Sequence, residues 1–221
     1  MSIQERLEHI RKELPETTRL VAVSKYHTTE EVLEAYHAGQ RLFGENRVQE
    51  LLPKVEQLPK DIEWHLIGTL QRNKVKYVVP FVAMIQSVDS TRLLLEIEKQ
   101  CKKIGRTSLP VLLQIHISGE ETKHGFTLEE LEQLLESSTI ESLECVQIAG
   151  LMAMASLTDD QALIERQFTQ MQKLFDQLKK GPFAHHEAFR ELSMGMTHDY
   201  PIALKHGATL IRVGSGIFGS R

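Results

Sequence analysis

The chain has 221 residues, of which 25% are charged and 41% are hydrophobic, a composition typical of a folded globular protein rather than a disordered or membrane one. Its formal net charge is −4 and its basic residues form no cluster, which argues against nucleic acid as the main partner. The first 14 residues lack the apolar stretch of a signal peptide, and no apolar run is long enough to cross a membrane. Cys101 and Cys145 are isolated, so no disulfide framework is indicated. We expect a cytoplasmic monomer with one domain spanning residues 1–221.

The hydrophobic pattern predicts helices and strands that alternate along the chain. An amphipathic helix over residues 1–14 comes first, with Ser2 and Glu5 as a capping box. Strands are predicted at 19–24, 41–44, 62–68, 81–88, 111–118, 145–152, 191–193 and 208–213. Helices are predicted between them at 28–39, 48–55, 73–79, 90–105, 127–135, 158–180 and 197–206. Pro53 is expected to kink or shorten the helix that contains it, and Thr197 is a candidate N-cap.

This order of elements predicts an α/β fold with a parallel sheet, because strands that alternate with helices are joined by crossover connections. Eight strand–helix units in a chain of this length fit a compact (β/α)8 barrel of the TIM type with an extra N-terminal helix. An open, doubly wound sheet is the alternative. In either fold the functional residues are expected where the strands end, at their carboxyl termini.

Lys25 is the first residue that this rule selects, because it ends the apolar run VAVSK at 21–25. Burial at the end of a strand favours the neutral, nucleophilic form of a lysine amine, and such an amine can form a Schiff base with a carbonyl compound. A solvated lysine at a strand end is the ordinary alternative. The lysine alone therefore does not decide between the two.

Two segments near the end of the chain predict a phosphate site. Ser193–Thr197 lies at the end of the seventh predicted strand and Arg212–Gly216 at the end of the eighth, and barrels frequently build a phosphate site from the two loops that begin there. Small residues allow backbone N–H groups to approach an anion closely. The alternative is that the glycines only turn the closing segment. A phosphate anchor opposite a lysine is the arrangement that pyridoxal 5′-phosphate (PLP) requires.

Several longer motifs, mostly at predicted strand ends, make a family resemblance specific. They are VAVSK at 21–25, FGENRVQE at 43–50, WHLIGTLQRNK at 64–74, IQSVDS at 85–90, SGEETKHGF at 118–126, GLMAM at 150–154, LSMGMTHDY at 192–200 and RVGSGIFGSR at 212–221. With these motifs the chain resembles the pyridoxal phosphate homeostasis protein family, single PLP-binding barrels related to the N-terminal domain of alanine racemase. The resemblance implies PLP fold type III and PLP as the cofactor.

The resemblance also implies roles for individual residues. Lys25 would form the internal aldimine with PLP, and Asn46 would lie near the ring. The phosphate would be held by Ser193, Gly214 and Ser215. Arg212 would face the pyridine nitrogen, and His65 and Thr197 are further candidates. The chain departs from the family pattern at Tyr26-His27-Thr28 and at His116, which affects the rim of the site more than the ligand.

Arg212 bears on whether the protein is an enzyme. A guanidinium is a permanent donor, so a pyridine nitrogen that faces it stays unprotonated and the ring withdraws electrons less strongly. Racemases of this type add an acid/base residue from a second β-domain, and we expect none after Arg221. The resemblance implies a carrier for PLP homeostasis without turnover or metal, with apo PLP-dependent enzymes as candidate recipients. A PLP-dependent amino acid racemase and a cofactor-free Schiff-base aldolase are the alternatives.

Overall fold

The computed structural model describes residues 1–117 and 125–219 and contains a closed barrel of parallel strands in chain order. The strands are β1 (Arg19–Val23), β2 (Leu42–Glu45), β3 (Glu63–Leu66), β4 (Met84–Val88), β5 (Leu109–Ile115), β6 (Val146–Ala153), β7 (Glu191–Ser193) and β8 (Leu210–Val213). The barrel closes because β8 pairs with β1, with Leu20 opposite Ile211. The predicted (β/α)8 barrel is therefore confirmed, and the open-sheet alternative is wrong.

Helices surround the barrel and connect its strands. Those in the described residues are α1 (Ile3–Glu13), α2 (Thr29–His37), α3 (Val48–Gln57), α4 (Val75–Val78), α5 (Thr91–Ile104), α6 (Leu128–Glu136), α7 (Gln161–Lys180), α8 (Tyr200–Lys205) and α9 (Ser215–Phe218). The predicted capping box of the first helix is present, since Ser2 Oγ accepts from the N–H of Glu5 and the Glu5 carboxylate accepts from the N–H of Ser2. No helix in the described part of the chain is long and apolar enough to cross a membrane.

The element boundaries differ from the predicted ones at a few places. Pro53 lies inside α3 and does not end it, because the helix continues to Gln57. The long helix α7 starts at Gln161 rather than Thr158, since the side chain of Asp160 provides its N-cap. The helix predicted at 73–79 is a 3₁₀ turn, Arg72–Lys74, followed by the short α4.

Other differences from the predicted elements lie near the barrel mouth. The short helix α9 was not predicted, and Thr197 does not cap α8, which starts three residues later at Tyr200. The predicted end of the fifth strand at Ser118 lies outside the described residues, as does most of the motif at 118–126.

The inward-facing positions of the strands change from apolar to polar along the barrel, towards its carboxyl end. One buried apolar cluster comes from alternate strand positions and includes Val21, Leu42, Met84, Leu112 and Leu210. Two residues further along three of these strands, the inward positions hold Gln86, Gln114 and Arg212, all buried. Side chains alternate between the two faces of a strand, so polar groups collect inside the barrel near its carboxyl end.

Candidate functional site

A cavity of about 490 Å³ opens at the carboxyl end of the barrel, a volume within the usual range for a small-molecule site. Its lining includes residues that follow β1, β2, β3, β6, β7 and β8. Five of the six predicted binding residues line it, together with one of the further candidates: Lys25, Asn46, Arg212, Gly214, Ser215 and Thr197. The structure thus brings the predicted lysine and both predicted phosphate loops to one cavity.

Lys25 lies two residues beyond the end of β1, at one side of this cavity. Ser24 is fully buried, whereas Lys25 is half-buried and reaches the cavity. The chain changes direction at Tyr26, which has a positive φ, and α2 begins at Thr29. Lys25 is therefore the last residue of the run at 21–25 before this turn. The complete burial expected at a strand end is therefore not present, but the amine is accessible to a ligand in the cavity.

The loops after β7 and β8 are held together by the hydroxyl of Thr197. Its Oγ1 accepts from the N–H groups of Gly214 at 3.3 Å and of Gly216 at 3.4 Å. A Cβ at Gly216 would lie only 2.8 Å from Val213 Cγ1 and 3.2 Å from Thr197 Cγ2, so a larger residue would separate these loops. The loops place Gly214 and Ser215 at the start of α9, where first-turn N–H groups have no acceptor within the helix. Such N–H groups suit an anion such as phosphate.

Arg212 is held by a chain of buried hydrogen bonds inside the barrel. Its guanidinium donates from Nη1 to Ser193 Oγ at 2.6 Å and from Nη2 to the carbonyl of Ala153 at 2.9 Å. The Ser193 hydroxyl donates to Gln86 Oε1 at 2.6 Å, and the amide of Gln86 donates to His65 Nδ1 at 2.7 Å. Burial lowers the pKa of Arg212 to about 10, so the guanidinium remains a cation at neutral pH.

The position of Ser193 does not fit a direct contact with phosphate. Its side chain is fully buried, does not line the cavity and bonds to Gln86 and Arg212. Thr197, a further candidate in the sequence, lies at the cavity instead. Gln86 is not among the residues that the sequence pattern selects, although it lies in the motif at 85–90 on an inward strand position.

The buried imidazole of His65 is expected to make the stability of the protein depend on pH. Burial lowers the pKa of its imidazole to about 3, whereas an unfolded histidine titrates near about 6.5. Between these values the unfolded state binds a proton that the folded state does not, so stability is lost as the pH falls below about 6.5. We expect His65 to reduce the free energy of unfolding by about 2 kcal/mol between about pH 7 and 5.

Urea unfolding at the two pH values measures this effect. His65→Gln should remove most of the pH dependence, because a neutral side chain replaces the titrating one. His185→Gln, at an exposed histidine, should leave it unchanged. An equal slope in wild type and His65→Gln would contradict the prediction.

Comparison with known proteins agrees with this fold. The family model described as alanine racemase, N-terminal domain, matches residues 1–221. An alanine racemase from E. faecalis is 20% identical, with a TM-score of 0.71 over 100% of this chain and 59% of that chain. At this level of identity the likeness concerns the fold, which is thus the barrel of the alanine racemase class.

Nearer relatives are similar over almost their whole length. The pyridoxal phosphate homeostasis protein of Aquifex aeolicus is 39% identical over 204 residues, 92% of this chain and 87% of the relative. PipY of Synechococcus elongatus PCC7942, solved with PLP bound, is 39% identical with a TM-score of 0.89, covering 99% of this chain and 100% of PipY. The chain belongs to the pyridoxal phosphate homeostasis protein family, as the motifs predicted.

Proposed function

We propose that this protein binds PLP in the cavity at the carboxyl end of the barrel and holds it for PLP homeostasis without turning over a substrate. The observation that carries the proposal is that Lys25 lines the same cavity as Thr197, Gly214 and Ser215. An amine and a phosphate-binding loop in one cavity match the aldehyde and the phosphate of PLP. PipY with PLP bound and the name of the Aquifex relative support the same ligand.

The described residues fit the separate parts of PLP. Bound PLP supplies an aldehyde that forms a Schiff base with a lysine amine, and a ring that withdraws electrons. Lys25 is the amine in the cavity, while Gly214 and Ser215, at the start of α9, would hold the phosphate. Asn46 would lie beside the ring.

Arg212 would face the ring nitrogen of PLP. This position supports a protein that holds PLP over one that turns over a substrate with it. The guanidinium is charged and fixed by Ser193 and Ala153, so it could only donate to that nitrogen and would keep it unprotonated. A ring in this state stabilises carbanions poorly. Ser193 therefore acts in this proposal by positioning Arg212.

The proposal extends to the setting in which the protein acts. Residues 1–221 would form one PLP-binding domain that works as a monomer in the cytoplasm. The recipients would be apo PLP-dependent enzymes. Transfer of PLP from the loaded protein to an apo-enzyme, compared with an equal concentration of free PLP, tests this part, and no advantage over free PLP would contradict it.

Binding is tested by adding PLP to the purified protein and recording the visible Schiff-base absorption. Borohydride reduction followed by peptide mass analysis should place the label on Lys25. Absence of both signals would refute the proposal and would leave a cofactor-free aldolase as the alternative. Incubation of the loaded protein with L- or D-alanine should produce no inversion. Inversion at an enzyme-like rate would make the protein a racemase.

Thr197→Val is expected to weaken PLP binding about tenfold, since two partly buried hydrogen bonds are lost. Valine keeps the shape of threonine but has no oxygen to accept from Gly214 and Gly216, so the two phosphate loops lose these two bonds between them. Calorimetric titration with PLP measures the change. Thr169→Val, in which the lost hydroxyl bonds to Glu165 on α7, is the matched control. Unchanged affinity in Thr197→Val would show that the hydroxyl does not organise the site.

A further inference from the structure

Lys25 lies between two residues that are both anchored to α3. Ser24 and Tyr26 each bond to a side chain of that helix, whereas no element of regular structure contains Lys25 itself. The backbone on either side of the cavity lysine is thus fixed from outside the barrel. Neither anchoring residue, Lys54 or Glu50, lines the cavity.

The first anchor is a buried ion pair behind Ser24. Lys54 Nζ lies 2.5 Å from Glu45 Oε1 and donates to the carbonyl oxygen of Ser24 at 2.7 Å. The hydroxyl of Ser24 donates to the same Glu45 oxygen at 2.8 Å. The side chains of Lys54 and Glu45 are 8% and 0% exposed. A buried lysine is unusual unless it is paired, and here the pairing joins the ends of β1 and β2 to α3.

The second anchor holds an uncommon backbone conformation. Tyr26 has a φ of 66°, in the left-handed region that residues other than glycine rarely adopt. Its N–H donates to Glu50 Oε2 at 3.1 Å. A conformation of this kind persists only where the surroundings impose it. Glu50 therefore keeps the chain turning sharply directly after Lys25.

We propose that Lys54 and Glu50 are positioning residues for Lys25, which direct its amine towards the carbonyl end of a phosphate-anchored ligand. This inference rests on the proposed function. The Lys25 nitrogen must form a bond to the aldehyde carbon while the carbonyl oxygen leaves as water, taking the two amine hydrogens. Reaction of this kind depends on the distance and direction of approach, and a displacement of about 1 Å can slow it strongly. Binding of the phosphate does not depend on the amine.

The experiment separates these two properties with two ligands. Stopped-flow absorption and borohydride trapping measure the rate at which PLP is attached to Lys25. Pyridoxine 5′-phosphate, in which an alcohol replaces the aldehyde, measures binding through the phosphate and ring alone. In Lys54→Met and Glu50→Ala we expect attachment of PLP to slow about tenfold or more, with unchanged affinity for pyridoxine 5′-phosphate.

Matched variants guard against a general loss of structure. Glu50→Gln retains an oxygen that can accept from Tyr26 and should restore the rate. Lys76→Met removes an exposed lysine and should change nothing. Lys54→Met leaves Glu45 buried and unpaired, so Glu45→Gln/Lys54→Met removes both charges and should show the same slow attachment if the single variant does not fold.

The outcomes are distinguishable. Attachment at the wild-type rate in Lys54→Met and Glu50→Ala would overturn the inference. A parallel loss of pyridoxine 5′-phosphate binding would also overturn it, since the two residues would then support the whole cavity. If wild type itself attaches no PLP to Lys25, the proposed function fails before the variants are compared.

Discussion

Lys25→Ala is expected to abolish covalent attachment of PLP while leaving binding through the phosphate. The variant removes the amine that reaches the cavity, but Thr197, Gly214 and Gly216 keep their hydrogen bonds. The visible Schiff-base band and borohydride labelling should disappear. Affinity for PLP should fall roughly a hundredfold, because one of two linked attachments in the same site is lost. Calorimetry at increasing inorganic phosphate should then show competition for the remaining site.

Lys76→Ala is the matched control for this variant, since Lys76 is exposed and does not line the cavity. It should keep the band, the label and the affinity. If Lys25→Ala keeps a borohydride-reducible label, another lysine carries PLP. If Lys25→Ala shows no phosphate-dependent binding at all, the loops after β7 and β8 are wrongly assigned. The first result would show that the lysine has been wrongly assigned, and the second that the phosphate loops have been.

Gly150→Ala is expected to prevent stable folding of the barrel. Gly150 lies in β6 with a φ of 148°, and a Cβ on it would lie 1.8 Å from the carbonyl oxygen of Glu191 in β7. Backbone of a neighbouring strand cannot move away as a flexible side chain can, so β6 and β7 would have to separate. We expect a loss of about 4 kcal/mol or more, a large part of the stability of a typical domain. Urea unfolding, or the yield of soluble protein, measures it.

Gly105→Ala provides a comparison at another glycine with positive φ. Gly105 ends α5 with a φ of 70°, and no atom lies within 4 Å of a Cβ built on it. Only the backbone conformation is then unfavourable, and the expected cost is about 1 kcal/mol. A similar small loss in Gly150→Ala would show that β6 and β7 can adjust to the added methyl group.

The cavity-lining residues at strand ends could be predicted from the sequence because a parallel barrel brings all its carboxyl ends to one face. Knowing that a residue follows a strand was sufficient to place Lys25, Asn46 and Gly214 at the same cavity. The helix at 215–218 was missed, since four residues carry too little periodicity to indicate a helix. Only the structure shows that Ser193 bonds to Gln86 and Arg212 and does not line the cavity, because the position along a strand does not tell whether a side chain points to a ligand or to a neighbour.

The sequence by itself determined the order of strands and helices, and therefore the barrel, because hydrophobic periodicity is a local property that the barrel only assembles. The sequence also determined which loops meet at the carboxyl end of the barrel. The tertiary structure alone decided which polar groups pair inside: Arg212 with Ser193, and Lys54 with Glu45. Those contacts depend on the register of one strand against the next and on which face of α3 turns inward. Many polar side chains fit the sequence pattern equally well, and only the packing of the folded chain decides which of them pair.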